Sequence, residues 1–138
     1  MHICLISYQN NPLSISKELG KALAKRISGV EMEERFVPVA EDIPVVAMEA
    51  AEQSDFIFVF ALLEDEELVD FLKQKLVDVE LATKTRILKE VREDNFSGMN
   101  EEDYIEKKEL LVGKYADLIV GILFNEQSFA PKDKDFSL

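Results

Sequence analysis

The sequence has very few of the residues from which most catalytic and metal sites are built. Its 138 residues include one cysteine, Cys4, and one histidine, His2. These two side chains are too few for a metal site of histidine and cysteine ligands, and one cysteine forms no internal disulfide. His2 stands at the amino end of the first predicted strand, opposite the edge where we place a ligand site below, so no Ser-His-Asp or Cys-His set is available there.

Long hydrophobic runs and excess positive charge are also missing. No window approaches the roughly 18 uninterrupted apolar residues of a membrane span, and the N-terminus lacks a basic region followed by a long apolar stretch, so we expect a cytoplasmic protein. Sixteen basic side chains against 28 acidic ones leave a net charge of -12. Such a chain repels nucleic acid and anionic membrane surfaces, although local cations or backbone amides can still hold a small anion.

The sequences that bind nucleotides in α/β proteins are absent as well. No Gly-x-Gly-x-x-Gly follows the first strand, and no glycine-rich loop carries a phosphate-binding lysine. The first loop also lacks the acidic pair of a phosphoacceptor receiver domain. Dinucleotide binding, nucleoside triphosphate binding and phosphoryl acceptance are therefore not expected.

What is present is a globular composition, 47% hydrophobic and 32% charged, of single-domain length. We predict one domain over residues 1–124 and a polar C-terminal tail over residues 125–138, which is disordered or docks on a neighbouring subunit. Cys4 lies in the apolar run Ile3-Cys4-Leu5-Ile6, which predicts a buried structural thiol rather than a reactive one.

Four apolar runs that alternate with helical patterns predict a parallel sheet. The predicted strands cover residues 3–7, 30–37, 56–63 and 86–92. The third is the most apolar and does not alternate, as expected of a central strand covered on both faces, whereas the charges of the fourth indicate an edge. The fold class is therefore α/β, a three-layer arrangement of a four-stranded parallel sheet in the order 2-1-3-4 with helices on both faces.

Several local signals predict where the helices begin. Ser14 or Ser16 is expected to cap the first helix, Pro44 suits the first turn of the second, and Asn100 is expected to cap the last. The acidic residues 64–67 suit the positive end of the third helix. The last helix carries apolar residues beyond one narrow stripe, Leu110 and Val112 among them, which predicts an oligomer.

In a doubly wound parallel sheet, ligands bind beyond the carboxyl ends of the strands. Those ends are predicted at residues 7–11, 37–42, 62–66 and 92–97. We place the ligand site between the second and third of these loops. Taken alone, the second loop, with two prolines around a short acidic segment, is more typical of a structural turn than of a ligand site.

That loop, Val37-Pro38-Val39-Ala40-Glu41-Asp42-Ile43-Pro44, nevertheless resembles the lumazine synthase superfamily, whose second loop reads Val-Pro-Gly, two or three variable residues, an apolar residue and proline. The chain is most similar to the archaeal-type riboflavin synthases. Residues 45–47, 91–94, 103–108 and 122–124 fit them too, and the resemblance covers roughly residues 3–124. It implies a lumazine synthase-like, flavodoxin-like fold assembled as a pentameric ring, with the site shared between neighbours.

Two departures from the family change the activity that the resemblance implies. Val39 stands where the family usually has glycine, so we expect a remodelled loop. Residues 62–67 are acidic where lumazine synthases carry a glycine-rich phosphate loop and a histidine. Lumazine synthase activity is therefore not expected. Riboflavin synthase chemistry fits better, because its two substrates are neutral 6,7-dimethyl-8-ribityllumazines and the rate can come from holding both rings in reacting geometry while four carbons are transferred.

The resemblance also implies roles for individual residues. Asp42 would accept hydrogen bonds from ribityl hydroxyls, the backbone around Val39 and Ala40 would line the ribityl chain, and Gln9 and Asn10 would face the ring edge. A carboxylate at residues 64–66, or Arg92, would assist proton transfer, with the choice left open. The substrate-binding set is Gln9, Asn10, Val39, Ala40, Glu41, Asp42, Leu63, Glu64 and Arg92.

Three hypotheses for the function follow. The first is a riboflavin synthase, for which the use of a divalent ion such as Mg²⁺ is left open. The second is a diverged non-catalytic relative that binds a flavin or lumazine, or serves only in assembly; Val39 and the acidic third loop favour it. The third is a generic flavodoxin-like binding module without ring assembly.

Overall fold

The computed structural model describes residues 1–96 and 98–129, with side chains described as far as Phe124. Four strands alternate with four helices along these residues. They are β1 (His2–Tyr8), α1 (Ser16–Arg26), β2 (Glu31–Val37), α2 (Ile43–Ala50), β3 (Phe56–Leu63), α3 (Glu66–Thr83), β4 (Arg86–Glu93) and α4 (Glu101–Phe129), with a single 3₁₀ turn at Ala40–Asp42.

The four strands form one parallel sheet in the order β2-β1-β3-β4, which confirms the predicted topology. Ile3 of β1 pairs with Met32 of β2 on one side and with Phe56 of β3 on the other. Every residue of β3 is buried, because helices cover it above and below. The edge strands β2 and β4 carry most of the charged side chains of the sheet, as edge positions permit.

Alternation along β3 divides the interior into two cores. Ile57, Val59 and Ala61 contribute to the core beneath α2 and α3. The phenylalanine side chains of β3 point to the opposite face of the sheet. The ring centroids of Phe58 and Phe60 lie 5.1 and 6.0 Å from the ring centroid of Tyr115 on α4. Each such buried aromatic ring stabilises the fold by roughly 1.5–3 kcal/mol through removal of apolar surface from water. Helices α1 and α4 therefore form one layer, and α2 and α3 the other.

Two of the predicted helix starts are built from the expected side chains. The Asp65 Oδ1 atom accepts a hydrogen bond from the Glu67 backbone N–H at 2.9 Å, and Asn100 Oδ1 accepts one from Asp103 N–H at 2.8 Å. Pro44 lies in the first turn of α2, as predicted, where its missing N–H leaves no helical bond unmade.

The predicted serine cap of α1 is wrong. The residue before the helix is Ile15, whose carbonyl accepts a hydrogen bond from Leu19 N–H at 2.8 Å, and no side chain in the described part of the chain caps the helix. Ser16 is the first helical residue, and its buried hydroxyl has no hydrogen-bond partner among the described residues. The apolar side chain of Ile15 is buried in the core, which decides where the chain enters the helix and turns Ser16 inward.

Helix α4 runs further than the sequence indicates. It continues to Phe129, five residues into the segment predicted as a tail, while residues 130–138 lie outside the described part of the chain. Arg26 at the end of α1 pairs with Asp117, which places the following turns of α4 beyond the end of α1. No helix among the described residues is long and apolar enough to cross a membrane.

The two residues that the sequence made conspicuous are both structural. Cys4 is fully buried, and burial is the main cause that raises the pKa of its thiol to about 12. A thiol so rarely ionised is a poor nucleophile, which confirms the predicted structural role. His2 lies at the amino edge of the sheet, where its Nε2 atom is 3.2 Å from Glu33 Oε1 and its backbone N–H donates to Asp55.

Candidate functional site at the carboxyl edge of the sheet

The chain leaves β1 through a turn that one side chain attaches to β3. Asn11 Nδ2 donates to the Phe60 carbonyl at 3.0 Å, and Asn11 Oδ1 accepts from Leu62 N–H at 2.8 Å. The pairing of β1 with β3 ends at Ser7 and Phe60, so the Asn11 amide replaces the strand pairing at the next step. The position of this loop relative to β3 therefore depends on Asn11.

Other hydrogen bonds connect the remaining loops at this edge. Gln9 N–H donates to the Val37 carbonyl at 2.9 Å, which joins the first loop to the end of β2. Asp94 N–H donates to the Leu63 carbonyl at 2.6 Å, which extends the pairing of β3 with β4. The Tyr104 hydroxyl at the start of α4 donates to the Pro12 carbonyl. The loops are thus held in a defined arrangement before any ligand binds.

A cleft of about 410 Å³ opens between the β1 loop and the β3 loop. In the order β2-β1-β3-β4, the chain leaves β1 toward one edge and β3 toward the other, so the cleft lies where the winding of the sheet changes direction. We call it the switch-point cleft. Its lining residues are Tyr8, Asn10, Pro12, Leu62, Leu63, Glu64, Asp65, Leu68 and Asp94.

The lining of the switch-point cleft combines an apolar part with hydrogen-bond acceptors. Three of its side chains are carboxylates, and none of the described residues that line it is basic. Asp65 also accepts the backbone N–H of Glu67. A carboxylate has about four acceptor positions, so Asp65 keeps capacity for a ligand's donors. The cleft favours neutral or cationic ligands with several O–H or N–H donors and repels phosphate.

The predicted site residues do not all come together here. Asn10, Leu63 and Glu64 line the cleft, and Gln9 lies beside it in the same turn. The Asn10 amide is 3.5 Å from the Tyr8 hydroxyl, at the limit of hydrogen bonding. Tyr8 and Asn10 therefore present polar groups along one wall of the cleft.

The second loop follows a different path. The residues that the resemblance singled out there, Val39, Ala40, Glu41 and Asp42, do not line the switch-point cleft. Val39 has φ -115° and ψ 119°, an extended backbone that valine adopts without strain. Ala40 is buried in the core beneath α2 and α3, and Glu41 and Asp42 are exposed in the 3₁₀ turn. The loop backbone therefore uses no conformation that requires the glycine of the family pattern.

Arg92 belongs to a separate group of side chains on β4. Its Nη2 atom lies 3.0 Å from Glu90 Oε1, and the same oxygen accepts a hydrogen bond from the Tyr115 hydroxyl at 2.9 Å. Burial, followed by the charge of Glu90, raises the pKa of Tyr115, so this phenol stays protonated and donates. Arg92 therefore balances the charge of Glu90, the carboxylate that contacts Tyr115 of α4. Arg92 does not line the switch-point cleft.

Several cleft residues were missed because they stand out only in three dimensions. Tyr8, Pro12, Leu68 and Asp94 carry no recognisable sequence pattern. The available signal was topological: Tyr8 and Asp94 fall in two of the four loops predicted at the carboxyl edge. Within residues 1–96 and 98–129, no three His, Cys, Asp or Glu side chains are grouped so as to hold a metal ion.

The fold defines a class, the doubly wound parallel α/β proteins, and the cleft lies at the switch point of its sheet. Comparison with known proteins goes no further. No protein-family model matches the chain, and no curated protein matches it either.

Proposed function

We propose that the protein binds a neutral, hydroxyl-rich heterocycle of the ribityllumazine or flavin kind in the switch-point cleft. One observation carries this proposal: carboxylates of Glu64, Asp65 and Asp94 stand beside leucine side chains in a cleft whose described lining residues include no basic one. A ribityl chain offers hydroxyl donors to the carboxylates, and a planar ring offers an apolar face to the leucines. The volume of about 410 Å³ lies within the usual range of small-molecule sites.

As a catalyst, the protein would be a riboflavin synthase. Four carbons of one ribityllumazine are transferred to a second, which gives riboflavin and a ribitylaminopyrimidine. Of the groups considered for proton transfer, Glu64 and Asp65 line the cleft and Arg92 does not. The second substrate would be held by a neighbouring subunit of the pentameric ring that the resemblance implies.

A non-catalytic binding protein is the second candidate. The observation that favours it is the absence of a histidine from the cleft, since the only histidine of the chain, His2, lies at the opposite edge of the sheet. Carboxylates alone would then have to carry every proton transfer in the cleft. Binding without turnover requires no such group.

The decisive experiment incubates the protein with 6,7-dimethyl-8-ribityllumazine. Binding is measured by the change in fluorescence of the lumazine, and catalysis is measured by the formation of riboflavin. Binding with riboflavin production supports the synthase, and binding without production supports the non-catalytic relative. Riboflavin and its 5′-phosphate provide a matched pair: the phosphorylated form should bind more weakly, and the difference should shrink as salt screens the carboxylates. If neither lumazine nor riboflavin binds at millimolar concentration, the proposal is wrong.

A further inference from the structure

Pro12 stands between two cavities. On one side it lines the switch-point cleft, and on the other it lines a cavity of about 290 Å³ beside the start of α4. We call the second one the α4 cavity; Leu13, Tyr104 and Ile105 line it together with Pro12. Pro12 is the residue that the two linings share. The wall of the cleft at Pro12 therefore has open volume behind it instead of packed core.

The backbone of Pro12 has one group that can form a hydrogen bond. Proline lacks an N–H, so only its carbonyl is available. That carbonyl accepts a hydrogen bond from the hydroxyl of Tyr104, which lies 92 positions further along the chain. The chain on either side is anchored separately, since the Asn11 amide is bonded to β3 and the Leu13 side chain is buried in the core. The Tyr104 hydroxyl is therefore the hydrogen-bond donor that fixes Pro12 between these two anchors.

Tyr104 presents this hydroxyl from a fixed position at the start of α4. Its backbone N–H donates to the Asn100 carbonyl at 3.0 Å, and its partly buried side chain packs against the core on the α4 side of the sheet. One turn further along, Lys108 Nζ lies 3.0 Å from Glu18 Oε2, close to the start of α1. The ring of Tyr104 thus contributes to packing, and its hydroxyl determines the position of Pro12. The substitution Tyr104→Phe separates these two contributions.

We infer that Tyr104 is a positioning residue that sets the width of the switch-point cleft and, through that width, the size of the ring system that the cleft admits. This role rests on the proposed function, because the ligands concerned are those of the same cleft. Without the hydroxyl, Pro12 can move toward the open volume of the α4 cavity, and the cleft widens. A wider cleft favours the three-ring flavin over the two-ring lumazine, since the shape of a site decides between related ligands.

A contact that only stabilises the fold would behave differently. If the Tyr104 hydroxyl did no more than connect α4 with the β1 loop, its loss would lower stability and weaken the binding of both ligands by the same factor. The ratio of the two affinities changes only if the shape of the cleft changes, because specificity is a difference between two binding free energies. This ratio is therefore the measurement that separates positioning from stability.

The test compares the native full chain with Tyr104→Phe in titrations with 6,7-dimethyl-8-ribityllumazine and with riboflavin. We expect the affinity for riboflavin relative to that for the lumazine to rise at least about threefold, a change of the size that one hydrogen bond commonly produces. Tyr115→Phe is the matched control, because it removes from the same helix a hydroxyl that is bonded to Glu90, and neither residue lines the cleft. It should lower the midpoint of urea unfolding and leave the ratio unchanged.

Hydrogen exchange tests the role of Tyr104 without any ligand. The Asn11 N–H donates to the Tyr8 carbonyl at 3.1 Å within the β1 loop, and it should exchange faster in Tyr104→Phe than in the native chain or in Tyr115→Phe. Unchanged exchange at Asn11, an equal change in both affinities, or a shift of the same size in Tyr115→Phe would overturn the inference. If the native chain binds neither ligand, the proposed function fails and the size selection fails with it, while faster exchange at Asn11 would still show that Tyr104 holds the loop.

Discussion

Asn11 Oδ1 accepts a hydrogen bond from the backbone N–H of Leu62 at 2.8 Å, across 51 positions of sequence. The same side chain donates to Phe60, so a single amide holds the β1 loop against β3 at the base of the switch-point cleft. This contact connects the stability of the sheet edge with the shape of the proposed ligand site.

Asn11→Ala should therefore lower both stability and ligand binding. Loss of two partly buried hydrogen bonds is expected to cost about 1–3 kcal/mol of unfolding free energy, measured by urea denaturation. Asn10→Ala is the matched control, because Asn10 is exposed and its side chain makes a single, marginal hydrogen bond among the described residues, to Tyr8. The unfolding free energy of this variant should change by less than about 0.5 kcal/mol. Equal stability of the two variants would show that the Asn11 amide does not anchor the loop.

The position of the ligand site is tested by comparing Glu64 with Asp42. If a ribityllumazine binds in the switch-point cleft, Glu64→Gln should weaken it about tenfold or more through loss of charge-assisted hydrogen bonds, while Asp42→Ala should have little effect. The resemblance to the riboflavin synthases predicts the opposite order. Isothermal titration calorimetry with both variants decides between a site at Glu64 and a site at Asp42. If neither substitution changes the affinity, the ligand binds elsewhere.

The ion pair between Glu33 and Arg35 should make stability depend on pH. The hydrogen bond from Arg35 Nε, 2.5 Å from Glu33 Oε2, is the main cause that lowers the pKa of Glu33 below its ordinary 4.5. A carboxyl whose pKa is lowered by folding stabilises the protein above its unfolded pKa, and this contribution is lost as pH falls through the folded pKa.

Glu33→Gln should accordingly destabilise the protein at pH 7 by at most about 1 kcal/mol, as is usual for partly exposed pairs. The difference from the native chain should shrink toward zero when unfolding is measured in acid, below the folded-state pKa of Glu33. Glu34→Gln, at the exposed neighbouring position, serves as the control. A Glu33 effect that is constant from neutral to acid pH would contradict the assigned role of the charge.

Oligomer formation is tested at the outer face of α4. Leu110 is 67% exposed there, and Leu118 and Phe124 are exposed on the same helix. If this face is an interface between subunits, the native chain should sediment as a species larger than 15.7 kDa, and Leu110→Lys should shift it toward the monomer. If the native chain sediments only as a monomer, the proposed ring does not form. The synthase proposal would then lose the site that two neighbouring subunits share.

The sequence predicted the sheet well because the signals it depends on, the hydrophobicity and the charge of each strand, can be read from short segments of the chain. The unbroken apolar run of β3 indicated a strand covered on both faces, and the charges of β4 indicated an edge, so the order 2-1-3-4 followed from burial alone. Asn100 was recognised as a helix cap because a cap bonds within three residues. Ser16 was mistaken for one because the competing burial of Ile15 depends on tertiary contacts.

The switch-point cleft was only partly predictable for the same reason. That a site would lie at the carboxyl edge followed from the alternation of strands and helices, whereas Asn10, Leu63 and Glu64 were named within that edge through the resemblance to the riboflavin synthases. The pairing of Asn11 with Leu62, and the approach of Tyr8 to Asp94 around one cleft, join residues that are far apart in sequence. Hydrogen-bond direction and side-chain orientation across such distances are set by packing, so only the tertiary structure decides which polar residues share a site.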